Sequence, residues 1–200
     1  MSVSEQSWVF CFPCEMYGLS PTSARFALRS ETAEAHERLD ALFSRFDLSA
    51  CPGYAAFLQA QAGAFLAVEA ALDRAGAGEL LHDWEKRRRS DALLGDLRAL
   101  ALLHRPATSP LFVTEAAILG GGYVLEGSRM GGAVLRRTVP SSLPTAFLSH
   151  GEPSAWHRFV EVLDQRLTSP ADLSQAALAA ASVFQTFETS ATRFLGALHP

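Results

Sequence analysis

The stretch Gly120–Gly132 reads GGGYVLEGSRMGG, with six glycines among thirteen residues. A helical run leads into it through Leu111, Ala116 and Leu119 and leaves it toward Arg137, ahead of the loop TVPSSLP, so the glycines read as the interior of a helix. Each interior glycine costs a helix about 1 kcal/mol relative to alanine, and several together imply a close contact or a deliberate bend. Gly127 and Gly131 stand four apart on one face, with Ser128 and Gly132 beside them, a strip where no large side chain holds a neighbour away. Two readings stay open on spacing alone. Another helix packs tightly on the small-residue strip, or a flat ligand lies against a helix that sags where Gly120–Gly122 loosen it.

Outward from this stretch the periodicity predicts helices throughout. Phe26, Leu28, Thr32, Ala35, His36, Leu39, Leu42, Phe43 and Phe46 recur at three- and four-residue steps, giving a helix over 23–46 that begins at Pro21-Thr22-Ser23. Cys51-Pro52-Gly53 reads as a break, followed by a helix from Tyr54 to Ala75 and another from Ser90 to Leu103, ended by His104-Arg105-Pro106. Ser109-Pro110 opens the glycine-bearing helix, Glu152-Pro153 a further one, and Ser169-Pro170 the last, with serine as N-cap and proline at the first position. No segment alternates with period two, so no strands are needed. The expectation is an all-α, single-domain helical bundle over residues 21–200, preceded by a disordered N-terminal extension at 1–20.

Two hundred residues, 48% hydrophobic and 19% charged, suit one compact domain. A formal charge of −4 argues against a nucleic-acid partner, which calls for a basic surplus. Leu48–Val68 carries no charge, but Pro52, Gly53, Gln59, Gln61 and Gly63 interrupt it, so no membrane span is expected. The N-terminus lacks the basic start and long apolar core of a secretory signal, which predicts a cytoplasmic protein. Cys11 and Cys14 have CxxC spacing without the further ligands that zinc needs, and Cys51-Pro52 is too short a motif to carry a role.

His36 shares the register of Leu28, Thr32, Leu39 and Phe43. A histidine there is either a hydrogen-bonded core residue or a ligand. An imidazole on one helix, opposite a glycine-lined helix with apolar walls, is the arrangement that a heme needs.

LRSETAEAHERLD at 28–40, with Thr32 four before His36, resembles the first helix of heme oxygenases, and YVLEGSRMGG at 123–132 resembles their distal helix. The wording YVLEGS is closest to the bacterial branch found beside bacteriophytochromes, photoreceptors that need biliverdin. The resemblance covers about residues 22–197. It implies that heme is both substrate and cofactor, with His36 as the proximal iron ligand and Gly127, Ser128, Gly131 and Gly132 forming the catalytic distal face. Arg29, seven before His36, matches the family's basic propionate anchor; Tyr123 lies at or next to its tyrosine, and Arg158 or His157 falls at the later anchor. Ser128 departs from the aspartate with which animal-type members organise distal water, since a serine holds a water but carries no charge. Arg129 and Glu126 are candidates to order that water, on a side of the helix expected to face solvent.

The activity implied is oxidative opening of heme at a meso carbon to biliverdin, carbon monoxide and ferrous iron. The electrons come from an external donor such as a ferredoxin or a flavoprotein reductase. EKRRR at 85–89, with Arg136 and Arg137, reads as a solvated face or as a basic docking rim for that donor. Two other functions remain: a non-catalytic heme- or biliverdin-binding partner of a photoreceptor, and a di-iron oxygenase of the same fold, for which only Glu79–His82 has the Glu-x-x-His spacing.

Overall fold

Leu28, Thr32, Ala35, Leu39 and Phe43 line the buried face of the first helix, α1 (Ala24–Phe43), as their spacing predicts. The computed structural model describes residues 23–105, 107–108, 110–149 and 152–198. The N-terminal extension, with Cys11, Cys14, Pro21 and Thr22, lies outside them. Cys51-Pro52-Gly53 does not break the second helix but forms the first turn of α2 (Cys51–Arg74). Proline is at home there because the first helical N–H groups have no intrahelical partner. Gly53 allows the chain to cross closely: a Cβ at this position would lie 2.2 Å from the Asp47 carbonyl oxygen.

Two single-turn helices, α3 (Ala77–Leu80) and α4 (Trp84–Arg87), occupy a segment without a clear period. The next helix, α5 (Ser90–Ala99), ends before the expected Leu103, because the chain turns through Ala101 at φ 52° and carries Leu103 outward. The glycine-bearing helix, α6 (Glu115–Leu135), starts later than Ser109-Pro110, since Thr114 supplies the N-cap by accepting from the Ala117 N–H at 3.2 Å. The last two helices, α7 (Pro153–Arg166) and α8 (Pro170–Leu198), begin at the expected prolines. Ser169 caps α8 reciprocally: its hydroxyl accepts from the Asp172 N–H while the Asp172 carboxylate accepts from the Ser169 N–H. No strand occurs among the described residues.

The bundle is organised around α8, which packs extensively on α1, α2 and α6. α1 and α6 therefore lean on a common helix more than on each other. Among the described residues α2 is the one helix long and apolar enough to cross a membrane, and 72% of that apolar window is buried within the bundle. Its apolar character builds the core, with Tyr54, Phe57, Leu58, Phe65 and Leu72 all nearly inaccessible.

Helix α6 runs unbroken through all six glycines. Gly120–Gly122 let it sit deep. A Cβ at Gly120 would lie 2.1 Å from the Ala176 carbonyl oxygen on α8, one at Gly121 2.6 Å from Phe112, and one at Gly122 3.3 Å from Phe159. For these three, close packing is the reason for glycine. Gly95 on α5 has nothing within 4 Å of its added Cβ. Gly120→Ala is therefore expected to cost about 2–3 kcal/mol through overpacking against backbone. Gly95→Ala is expected to gain about 0.5–1 kcal/mol from helix propensity. Urea-unfolding midpoints of the two variants check both signs.

Candidate functional site

α1 carries its polar groups along the edge of its buried face. The His36 side chain is 17% exposed, and its Nδ1 lies 3.3 Å from Oδ2 of Asp40, one helical turn on. The Phe184 ring of α8 meets the imidazole edge-on with centroids 5.8 Å apart. A carboxylate at Nδ1 favours the tautomer with its proton on Nδ1, which is how proteins orient a metal-ligating histidine. Asp40 Oδ1 is buried without a hydrogen-bond partner among the described residues. Asp40 was legible in principle, at i+4 from His36, but the family motif drew attention to Thr32 instead.

Tyr123, 2% exposed on α6, points at α1. Burial pushes its hydroxyl up to about 12, against the charges of Arg25 and Arg29 and a hydrogen bond with Thr32. Arg29 and Tyr123 are thus within electrostatic reach of each other. Arg25 joins them unannounced, its guanidinium 5.6 Å and 5.7 Å from the ring centroids of Phe26 and Trp156. Gly127 and Gly131 are buried and continue the stripe of α6 that Tyr123 begins, at four-residue steps. Gly132 is buried beside Leu148, which an added Cβ would meet at an ordinary 3.6 Å. Gly132 does not show the steric crowding of Gly120 and Gly121.

Arg158 sits elsewhere in the electrostatic map. Its guanidinium donates to Asp83 Oδ2 at 3.1 Å and Glu152 Oε2 at 2.9 Å, and to the Ser154 hydroxyl at 2.6 Å. Hydrogen bonds from Arg158 and Ser154 pull the Glu152 carboxyl down to about 2. An anion arriving at Arg158 competes with two carboxylates already in place.

The side of α6 bearing Glu126 and Arg129 is buried, not solvated. Glu126 is 4% exposed and accepts from Arg87 Nη1 at 2.8 Å; Arg129 donates to Glu126 and to the Arg87 carbonyl. Arg87 also donates to Asp83 and to the Ala155 carbonyl, and its side chain is 2% exposed. EKRRR accordingly does not present one basic rim: Lys86 and Arg88 face outward, while Arg87 and Arg89 turn in. Charge count alone hid this, because the acceptors on α6 that receive the two guanidiniums lie 36 to 39 residues away: Glu126 for Arg87, the Leu125 carbonyl and the Ser128 hydroxyl for Arg89. Glu69 accepts from the backbone N–H groups of Arg89 and Ser90 and from the Ser90 hydroxyl, capping α5. Arg89 Nη2 in turn donates to the Ser128 hydroxyl at 2.6 Å. Glu79 and His82 are exposed at and just after α3, facing away from any inward carboxylate pair.

A heme oxygenase of Xanthomonas campestris pv. campestris (strain 8004) is 38% identical to this chain over 113 residues, 53% of this chain and 68% of that protein. The chain belongs to the heme oxygenase family. The crystal structure of the NO- and CO-bound heme oxygenase from Neisseria meningitidis superposes with a TM-score of 0.76 over 88% of this chain and 93% of that one, at 22% identity. That likeness establishes the heme oxygenase fold. No protein-family model matches the chain.

In this heme oxygenase scaffold α6 is held by buried charge. Glu126→Leu leaves the Arg87 and Arg129 guanidiniums without their shared carboxylate, and breaking such a buried pair costs about 3–5 kcal/mol. Adding Arg87→Met is expected to recover part of that loss, since the second change removes a stranded charge. Denaturant unfolding of the single and double variants measures the coupling.

Proposed function

We propose that the protein is a heme oxygenase in activity, binding heme between α1 and α6 and opening it at a meso carbon to biliverdin, carbon monoxide and ferrous iron. Dioxygen and an external electron donor, a ferredoxin or a flavoprotein reductase, complete the reaction. The observation that carries this reading is His36 Nδ1 held 3.3 Å from a carboxylate at the edge of α1. The side chains present fit a heme on three counts: an oriented imidazole, a buried glycine strip on α6, and two arginines with a tyrosine hydroxyl where carboxylates would sit.

When bound, heme supplies the iron that activates dioxygen and the carbon that is oxidised. His36 offers Nε2 while Asp40 retains the Nδ1 proton. Gly127 and Gly131, lacking side chains, leave the distal face open to a small ligand, and Ser128 and Gly132 continue that wall. Arg29 and Tyr123 are assigned to the propionates, with Arg158 able to join only by leaving Asp83 or Glu152. Product transfer to a bacteriophytochrome is supported by the wording YVLEGS, which resembles that branch. A non-catalytic heme carrier is the second reading, favoured by one fact: Ser128 donates its hydroxyl proton to the Leu125 carbonyl at 2.7 Å and is not an acid.

Hemin is expected to bind one per chain and to turn over to a green product under a reductant in air, which a carrier would not show. His36→Ala is expected to lose the axial-ligand signature in the visible spectrum, and added imidazole to restore it. An unchanged spectrum removes His36 from the site. Arg29→Glu replaces attraction by repulsion at the carboxylates, so it is expected to weaken hemin affinity by about tenfold or more and to broaden one biliverdin isomer into a mixture. Isomer chromatography and hemin titration report it, and identical ratios and affinity place the propionates elsewhere.

A further inference from the structure

A cleft of about 420 Å³ opens between α1 and the first half of α8, with Ala27 and Glu31 on one wall and Leu173, Ala177, Leu178 and Ala181 on the other. Leu178 stands on its rim, 67% exposed. Further along both helices, Arg38 and Glu188 pair across the seam at 3.2 Å. From Leu173 to Phe187 α8 carries no charged residue, so Glu31 is the one charge in the lining. A helix that packs one face on a core normally sets charge on the opposite one. The outer face of α8 is instead uncharged and indented, as a face covered by something apolar would be.

The chain's own N-terminal residues are within reach of it. Ser23, one turn before Ala27, is 9% exposed, and its Oγ is buried with no partner among the described residues. The Ala24 N–H is tied to Asp164 Oδ1 of α7 at 2.7 Å. Residues 1–22 therefore depart from a fixed point, about 6 Å of helix rise from the first residue of the cleft. Their apolar block, Trp8-Val9-Phe10-Cys11-Phe12, ends 11 residues before Ser23. Eleven residues span up to about 36 Å, and Pro13, Gly18 and Pro21 suit the turn that a return to the cleft requires. The stretch Gln6–Cys14 is uncharged and is flanked by Glu5 and Glu15. Burying an unpaired carboxylate is costly, so the two acids bound what an uncharged cleft beside Glu31 accepts. A tether this short gives an effective concentration on the order of millimolar, above that at which a second copy of the chain competes.

We propose that residues 8–12 seat their apolar side chains in the cleft between α1 and α8, so that the N-terminal segment straps the two helices together from outside. The extension read from composition as disordered thereby has a seat of its own. His36 lies on the helix so held, nine residues after Ala27, and meets Phe184 of α8. The strap concerns the fold of the chain and stands independently of the heme reading above.

Thiol labelling of the full-length, hemin-free protein reads the seat directly, because Cys11 lies inside the seated stretch and Cys51 is exposed. The reduced protein is treated with a maleimide, the labelled sites are resolved by mass spectrometry, and each rate is divided by its rate in the urea-unfolded chain. Cys11 is expected to react at least about tenfold more slowly than Cys51, at a rate independent of protein concentration. Leu178→Asp puts a carboxylate on the exposed rim and is expected to bring Cys11 to within about twofold of Cys51, whose own rate stays unchanged. Ala181→Arg, at an exposed position that arginine suits as a helix former, is expected to do the same by filling the cleft, and serves where Leu178→Asp does not fold. Cys11 reacting as fast as Cys51 in wild type overturns the strap, as does protection that persists in the folded variants. Protection that strengthens with protein concentration assigns the cleft to a second copy and overturns it too.

Discussion

Gly120 sets how deeply α6 enters the bundle, and the rest of the site hangs on that depth. With no side chain there, the α6 backbone lies against the Ala176 carbonyl of α8. At 100° per residue, fixing one face of a helix fixes them all. Tyr123 is turned to α1, Glu126 to Arg87 and Ser128 to Arg89, each on a different neighbour. The stripe begun by Gly120 and Tyr123 runs on through Gly127 and Gly131. Its first part is packed closely, Gly120 against α8; the later part is where the proposed ligand would lie.

Charge does the complementary work. A cluster of arginines and carboxylates under a helix is costly to bury, and replacing it by apolar residues often stabilises a protein. What Asp83, Arg87, Glu126 and Arg129 provide is direction: hydrogen bonds from planar guanidiniums resist rotation of α6 in a way that leucines would not. Rotation matters because one residue's worth of turn would exchange a glycine for Met130 or Ser128 on the strip.

The sequence revealed the all-helical bundle and the two facing motifs because they are local. Periodicity exposes the buried face of α1, and caps such as Ser169 lie beside the helices they start. It misplaced Cys51-Pro52, where proline's two roles, breaker and first-turn residue, are locally indistinguishable. It also misjudged EKRRR and Glu126, whose partners are contributed by distant helices. Arg89 escaped notice for the same reason: nothing within its own segment announces a buried cation beside the Phe65 and Phe147 rings.

The topology also bears on how the chain is made. α1 is the first described helix to be synthesised, yet its apolar face rests on α8, and its Ala24 N–H is satisfied by Asp164 of α7 at 2.7 Å. At about 5–20 residues per second, the ribosome takes on the order of ten seconds to reach α8 after finishing α1. Phe43 can already meet Phe57 of α2, but the part of α1 that rests on α8 waits through that interval. The bundle thus completes itself by closure of its two ends, and the helix that bears His36 is among the last to be seated.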